Sequence, residues 1–277
     1  MGIIENILNL IHAEATDSCV FWLIYLLFVV CVIAFSVFVC IIFKDACDST
    51  FRVIIGWAFV IMLTFEILKQ TFVPMSIIDG ELVYSYIWSE FPFQLCSTPL
   101  YVLPFLSFAP DGKLRDLAAS YTMTFGLLGG IAVYMTPKSV FSFSVFLNIQ
   151  TMLHHALQIV TGIYTAAYYR RRINRRFFAG GVCVFAIMFA IANLLNTVGY
   201  STFVSLGWIP EGGQFNMFYV SPRPEQITPM FSELIKGLPP ILYIVVYFVV
   251  VTVGAGLLMY VTHLFYKYSR KRLSLKA

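Results

Sequence analysis

The sequence predicts an all-α fold: a polytopic membrane helix bundle of seven transmembrane helices, with the N-terminus outside and the C-terminus cytoplasmic. Three observations predict it. The 277 residues are 60% hydrophobic and only 12% charged, against about 45–50% and 25% in soluble domains. Seven apolar segments each approach the roughly 20 residues that cross a bilayer. Basic residues crowd alternate loops, as the cytoplasmic side of a membrane protein requires. With the N-terminus outside, only Lys69, Lys138, Arg223 and Lys236 of the 18 Lys and Arg fall outside. The others lie at Lys44 and Arg52, at Lys113 and Arg115, between Arg170 and Arg176, and in the tail from Lys267 to Lys276. The net charge of +4 hides this asymmetry.

Residues 1–15 do not read as a signal peptide. No positive region precedes the apolar run, and Glu5, Asn6, Asn9 and His12 interrupt it. Ile3, Ile4, Ile7, Leu8 and Ile11 fall at helical spacing, which predicts a short interfacial helix. The transmembrane domain then runs over 19–266. Its spans are Cys19–Phe43, Arg52–Phe72, Tyr84–Phe108, Leu114–Met135, Phe143–Tyr169, Phe177–Val198 and Pro240–Tyr266. The third begins with Tyr84, Tyr86 and Trp88, read as an aromatic interface belt. Pro99 and Pro104 should kink it and free backbone carbonyls. In the fourth, Gly126-Leu-Leu-Gly-Gly130 is a small-residue face suited to close helix contact.

Between the sixth and seventh spans, residues 199–237 form an extracytoplasmic loop. It holds Trp208-Ile-Pro-Glu-Gly-Gly-Gln-Phe-Asn-Met-Phe-Tyr219, rich in aromatics and turn formers. Loops this long carry function or are disordered, and the aromatics argue for a packed lid. Residues 267–277 form a basic cytoplasmic tail. The basic clusters flank spanning helices, so they read as topology signals and anionic-lipid contacts; no nucleic acid is expected as a partner.

The six cysteines make no disulfide framework. Cys31, Cys40 and Cys183 lie in apolar spans, Cys19 at an outer edge and Cys47 in a cytoplasmic loop; each reads as a small apolar side chain. Cys96 differs, because Gln94, Ser97 and Thr98 flank it instead of aliphatics. On a helix starting at Tyr84 it lies roughly 18 Å deep, and His154 on the fifth helix roughly 16 Å, at 1.5 Å per residue. A thiol and an imidazole at one level are a candidate nucleophile and base. Polar residues gather in the same outer halves: Glu66, Asn148, Gln150, Asn193 and Asn196. An outward-facing polar pocket explains them together.

Plainer readings stand beside these. Glu66 precedes Lys69 by three, so the two suit an ion pair. Asn193 and Asn196 share a face suited to helix contact. Gln158 follows His154 by four and Thr151 precedes His155 by four, so interhelical bonds could satisfy each imidazole, a structural role for both. Adjacent histidines diverge by roughly 100° on a helix, so only one of His154 and His155 faces a given point; the depth estimate favours His154. The His pair lacks further ligands at defined spacing. No metal site, nucleotide loop or cofactor is expected.

Pro92-Phe-Gln-Leu-Cys96, a Gly-rich fourth helix ending at Pro137, His154-His155, and Asn216-x-x-Tyr219 before Pro222 occur in that order. Over roughly residues 50 to 260 this arrangement resembles the YwaF-like family of bacterial integral membrane proteins, which also takes in a eukaryotic ether-phospholipid acyltransferase. The resemblance implies a multi-helix bundle, a Cys nucleophile at Cys96 and a His base at one of the pair. Where many relatives carry an acidic residue after the Cys, this chain has Ser97. The leading expectation is CoA-independent acyl transfer between membrane phospholipids and lysophospholipids through a Cys96 thioester. Gln94 or Asn216 would donate to the oxyanion, and Glu66 and Asn193 would line the pocket. The alternatives are a small-solute transporter with an outward-facing pocket and a seven-helix sensor. The location expected is a multi-pass protein of the plasma membrane, if the source is bacterial.

Overall fold

A computed structural model describes residues 2–14, 18–137, 141–142, 144–223 and 238–274, with side chains up to 267 and from 21 onward in the second helix. Cys19, Lys138, Phe143, Lys236, residues 224–237 of the loop and the charged side chains of the tail beyond Lys267 lie outside this description. The described residues are 76% helical. The helices are α1 (Gly2–Ile11), α2 (Ser18–Phe43), α3 (Asp48–Phe72), α4 (Pro99–Phe108), α5 (Lys113–Met135), α6 (Val145–Tyr168), α7 (Arg175–Ser205) and α8 (Pro240–Ser274). Among the described residues five are long and apolar enough to cross a membrane: α2, α3, α5, α7 and α8. A polytopic helical bundle follows. α5 and α7 each carry one π-helical turn, Thr122–Gly126 and Leu195–Gly199.

α6 is the hub. It packs on α2, α3 and α5 and buries Asn148, Gln150, His154, His155, Gln158, Thr161 and Thr165. An apolar helix tolerates lipid on every side, whereas a polar one must be enclosed by its neighbours. α2 shows the converse: it is apolar all round and mostly exposed. Ser144 caps α6 by accepting from Leu147 N, and Asn174 caps α7 by accepting from Arg176 N and Phe177 N. α1 is tied to the entrance of α6, because Ser144 Oγ donates to Ile11 O and Val145 N donates to Ala13 O.

The third segment departs from the expected helix. Tyr84 ends a strand: β1 (Met75–Ile78) and β2 (Glu81–Tyr84) pair antiparallel around Asp79-Gly80. Both turn residues have positive φ, 52° and 81°, the conformation that suits a two-residue hairpin. The chain then runs irregularly through single 3-10 turns at Trp88–Glu90 and Leu95–Ser97 before α4 begins at Pro99. Proline in the first helical turn loses no hydrogen bond, so Pro99 starts the helix instead of kinking it. The depth reckoned for Cys96 along a helix from Tyr84 therefore does not hold.

Cys96 reaches the interior by another route. α4 rises about 15 Å, half of a hydrocarbon core of about 30 Å. Its far end is fixed to the start of α3, where Arg52 Nη1 donates to Ser107 O at 3.1 Å and Ala109 O at 2.6 Å. The turn holding Cys96 stands at the opposite, inner end of this half-length helix.

The loops assigned to one side by charge do meet at one end of the bundle. Arg115 pairs with Asp48 at 2.5 Å and Arg170 with Asp45, while Arg172 pairs with Asp116 at 2.7 Å. These pairs knit the loops before α3, α5 and α7. At the other end, His12 Nε2 donates to Met75 O, and Trp88 Nε1 donates to Trp208 O.

Candidate functional site

The turn at Leu95–Ser97 is irregular backbone deep in the bundle, where its polar groups need partners from protein. Side chains supply them. Thr98 Oγ1 donates to Leu95 O at 2.6 Å, and Tyr121 OH donates to Thr98 Oγ1 at 2.7 Å. Tyr101 OH donates to Pro92 O. His154 Nε2 lies 3.0 Å from Cys96 O. Gly129 of α5 lets the turn come close, since a Cβ there would lie 3.6 Å from Cys96 Cα and 3.0 Å from Gln158 Nε2. Gly130 presses on α6 itself, where a Cβ would meet Ile159 Cγ1 at 2.9 Å and His155 O at 3.2 Å. The small-residue face thus serves helix contact, as its spacing predicts.

The two histidines have defined tautomers. A carbonyl oxygen only accepts, so in the neutral ring His154 carries its proton on Nε2, facing Cys96 O. By the same argument His155 carries its proton on Nδ1, 2.6 Å from Thr151 O. Each ring keeps one bare lone pair, on His154 Nδ1 and His155 Nε2. Both atoms are buried without a hydrogen-bond partner, as are Gln94 Oε1 and both amide atoms of Gln158. Buried polar atoms are nearly always satisfied. Five such atoms, on four residues, lie in the interior around the turn that holds Cys96. His154 thus bonds another segment, whereas His155 bonds the Thr151 carbonyl of its own helix, and no bond joins His154 to Gln158.

A buried ion network adjoins the site. Lys69 Nζ lies 3.1 Å from Glu66 Oε1 and 3.4 Å from Glu90 Oε2. Gln150, one turn before His154, donates to Glu66 Oε2 at 3.3 Å. The Glu66–Lys69 pair expected from spacing is present, but enclosed: the Lys69 side chain is 11% exposed, so it does not snorkel to water.

The long loop closes over the turn from the other side. Gln94 Nε2 donates to Asn216 O at 2.8 Å, and Asn216 Oδ1 accepts from Ser221 N. Asn196, on the π-turn of α7, clasps Met217 with both amide atoms, at 2.9 and 2.7 Å. Tyr243 OH donates to Tyr219 O. Phe218 and Tyr219 have φ of 54° and 58°, a left-handed pair that bulky side chains rarely adopt. Phe218 is fully buried against Phe93 and Phe185. Asn193 stands apart from this cluster, its amide donating to Phe189 O of its own helix.

The structure thus brings Cys96, His154, His155, Gln94 and Asn216 together, with Glu66 in the adjoining network. Sequence reasoning passed over Tyr121, which braces the turn with Thr98, took Thr98 only as a polar neighbour of Cys96, and treated Gln158 as a hydrogen-bond partner. Among the described residues no group of three His, Cys, Asp or Glu side chains converges to hold a metal.

Comparison with curated proteins and with solved structures returned no match. A family model matches residues 14–265, and the chain belongs to that family, the TMEM164 family.

Proposed function

From membership of the TMEM164 family, a transmembrane family related to the ether-lipid acyltransferase, and from the surroundings of Cys96, we propose that this chain moves an acyl chain between membrane phospholipids through a thioester on Cys96. The observation that carries the reading is the set of unsatisfied buried polar atoms around the turn that holds Cys96. The YwaF-like resemblance, with its Cys nucleophile and His base, points the same way.

In this reading His154 is the base. Its Nε2–H meets the backbone carbonyl of Cys96, and its bare Nδ1 would take the thiol proton once the Cys96 side chain turns to it. The imidazole takes the thiol proton, and the thiolate adds to the ester carbonyl of a donor phospholipid. The tetrahedral intermediate collapses, and the departing lysolipid oxygen takes the proton from the imidazolium. An acceptor lysolipid hydroxyl then gives its proton to the imidazole and attacks the thioester, and Cys96 leaves as thiolate and is reprotonated. His155 holds its proton on the Thr151 carbonyl and keeps its own lone pair in the same interior.

The proposal includes seven spans. α6, whose 24 residues rise about 36 Å, and the Leu95–Phe108 segment join the five apolar helices. The N-terminus lies outside and the ion-paired loops in the cytoplasm, of the plasma membrane if the source is bacterial. Arg171, Arg175 and Arg176 there would meet anionic headgroups. A second reading, a transporter, draws on the broken segment at mid-bundle, since such breaks bind substrate in transporters.

Acyl exchange in liposomes separates the two readings. Cys96→Ser should abolish exchange with little loss of thermal stability. His154→Gln should lower it and add no further loss when combined with Cys96→Ser, because residues acting as a unit are non-additive. Activity falling only in proportion to stability would make Cys96 core packing. Solute flux lost in Glu66→Gln and intact in Cys96→Ser would favour transport.

A further inference from the structure

We propose that Gln158 is the oxyanion donor of the Cys96 site. The assignment rests on the acyl-transfer reading above and deepens it. Gln158 is 1% exposed, and neither its Nε2 nor its Oε1 has a hydrogen-bond partner. Leaving an amide unpaired away from water is costly, so a native site retains one where a ligand completes it.

The position is right for that ligand. A Cβ built on Gly129 lies 3.0 Å from Gln158 Nε2 and 3.6 Å from Cys96 Cα. Those two distances confine the amide nitrogen to within 6.6 Å of Cys96 Cα, their sum. The amide is thus within reach of an acyl group carried on the Cys96 side chain. The approach is this close only because Gly129 has no side chain, since a Cβ there would crowd the amide.

The other amides are engaged elsewhere. Gln94 Nε2 donates to Asn216 O, Gln150 Nε2 to Glu66 Oε2, and Asn216 Oδ1 accepts from Ser221 N. Gln158 alone of these four has both amide atoms unspent.

The chemistry balances simply. When the thiolate adds to the ester, the carbonyl π pair moves onto oxygen. The Gln158 N–H donates to that oxyanion, and the pair returns as the lysolipid oxygen leaves with the imidazolium proton. The same hydrogen bond serves the second half-reaction, when the acceptor hydroxyl attacks the thioester. A donor aimed at charge that exists only in the transition state raises kcat and leaves KM almost alone.

The test is Gln158→Met, similar in length and shape and without a donor, with Gln158→Glu as a second variant. Acyl exchange is measured in liposomes over a range of donor phospholipid, with thermal unfolding in detergent alongside. The proposal expects kcat about 10²–10³-fold lower in both variants, KM within about twofold, and Gln158→Met at least as stable as wild type. An amide with a structural role would instead cost stability and leave kcat intact. Cys96-dependent exchange that is unchanged in Gln158→Met overturns the assignment and leaves acyl transfer standing. Wild-type exchange indifferent to Cys96→Ser, or absent, overturns both.

Discussion

Replacing Gly130 with alanine tests how closely α5 and α6 are bound to the site. The added methyl would lie 2.9 Å from Ile159 Cγ1, 3.2 Å from His155 O and 3.3 Å from Ile159 N. The latter two atoms are backbone of α6 and have no rotamer through which to retreat. Overpacking costs about 1–3 kcal/mol, and a backbone obstacle puts this site near the top of that range. Alanine returns about 1 kcal/mol of helix propensity over glycine, so the net loss is about 2 kcal/mol. For a chain of this size that lowers Tm by about 4–8 °C. Gly256→Ala is the control: its methyl meets Phe178 Cζ at an ordinary 3.4 Å, so it keeps the propensity gain and should raise Tm by about 2–4 °C. Because the displaced helix carries His154, Gly130→Ala should also lose acyl exchange at temperatures where it remains folded. A Gly130→Ala protein that melts at or above wild type, or a Gly256→Ala protein that falls as far, refutes the close-contact reasoning.

Three further predictions concern other parts of the bundle. Asn196→Ala orphans the fully buried Met217 N–H and leaves the Met217 C=O to the Val220 N–H alone; it should cost about 1–3 kcal/mol and speed hydrogen exchange over residues 217–221, and unchanged protection there would show that the clasp is idle. Arg115→Met removes a buried guanidinium that pairs with Asp48, donates to Leu106 O and lies over Phe51; since Asp48 is half exposed, the loss in thermal unfolding should be about 2 kcal/mol, with Arg115→Lys losing about half of it. The exposed Cys47 thiol is held down to about 7 by hydrogen bonds from the Ser49 and Thr50 hydroxyls. Its thiolate fraction, and with it labelling by a membrane-impermeant maleimide, should rise through about pH 7 instead of about 8.5. Labelling should occur only from the cytoplasmic face, and Ser49→Ala with Thr50→Val should move the profile upward.

Charge and hydropathy told most about the fold because both act along the whole chain. The distribution of Lys and Arg identified which loops share an end, and the pairs of Arg115, Arg170 and Arg172 join those loops. Hydropathy misled at the third segment, where apolar residues continue from Tyr84 to Phe108 without continuous helix. Two local signals were there to be read: Asp79-Gly80 between short β-rich runs marks a hairpin, and Pro99 marks a helix start. α7 likewise continues past Val198 to Ser205, through a π-turn that no hydrophobic period announces. At the site, Cys96 and His154 were legible as unusual polar groups among aliphatics. The bond of His154 to the Cys96 backbone carbonyl was not, because the irregular run from Ser85 to Thr98 sets the position of Cys96 through tertiary hydrogen bonds. Nor could spacing reveal that Gln158 leaves the His154 bond unmade, since a side chain's lack of a partner is a property of the assembled interior.

The central claim is a covalent one, so mass spectrometry tests it most directly. Purified protein is incubated with a donor phospholipid and no acceptor, and the peptides are mapped. The account predicts a mass increase of one acyl chain on Cys96, labile to hydroxylamine, discharged by added lysolipid and slower to form in His154→Gln. Acyl transfer that proceeds while Cys96 stays unmodified, or with the adduct on another cysteine, contradicts it.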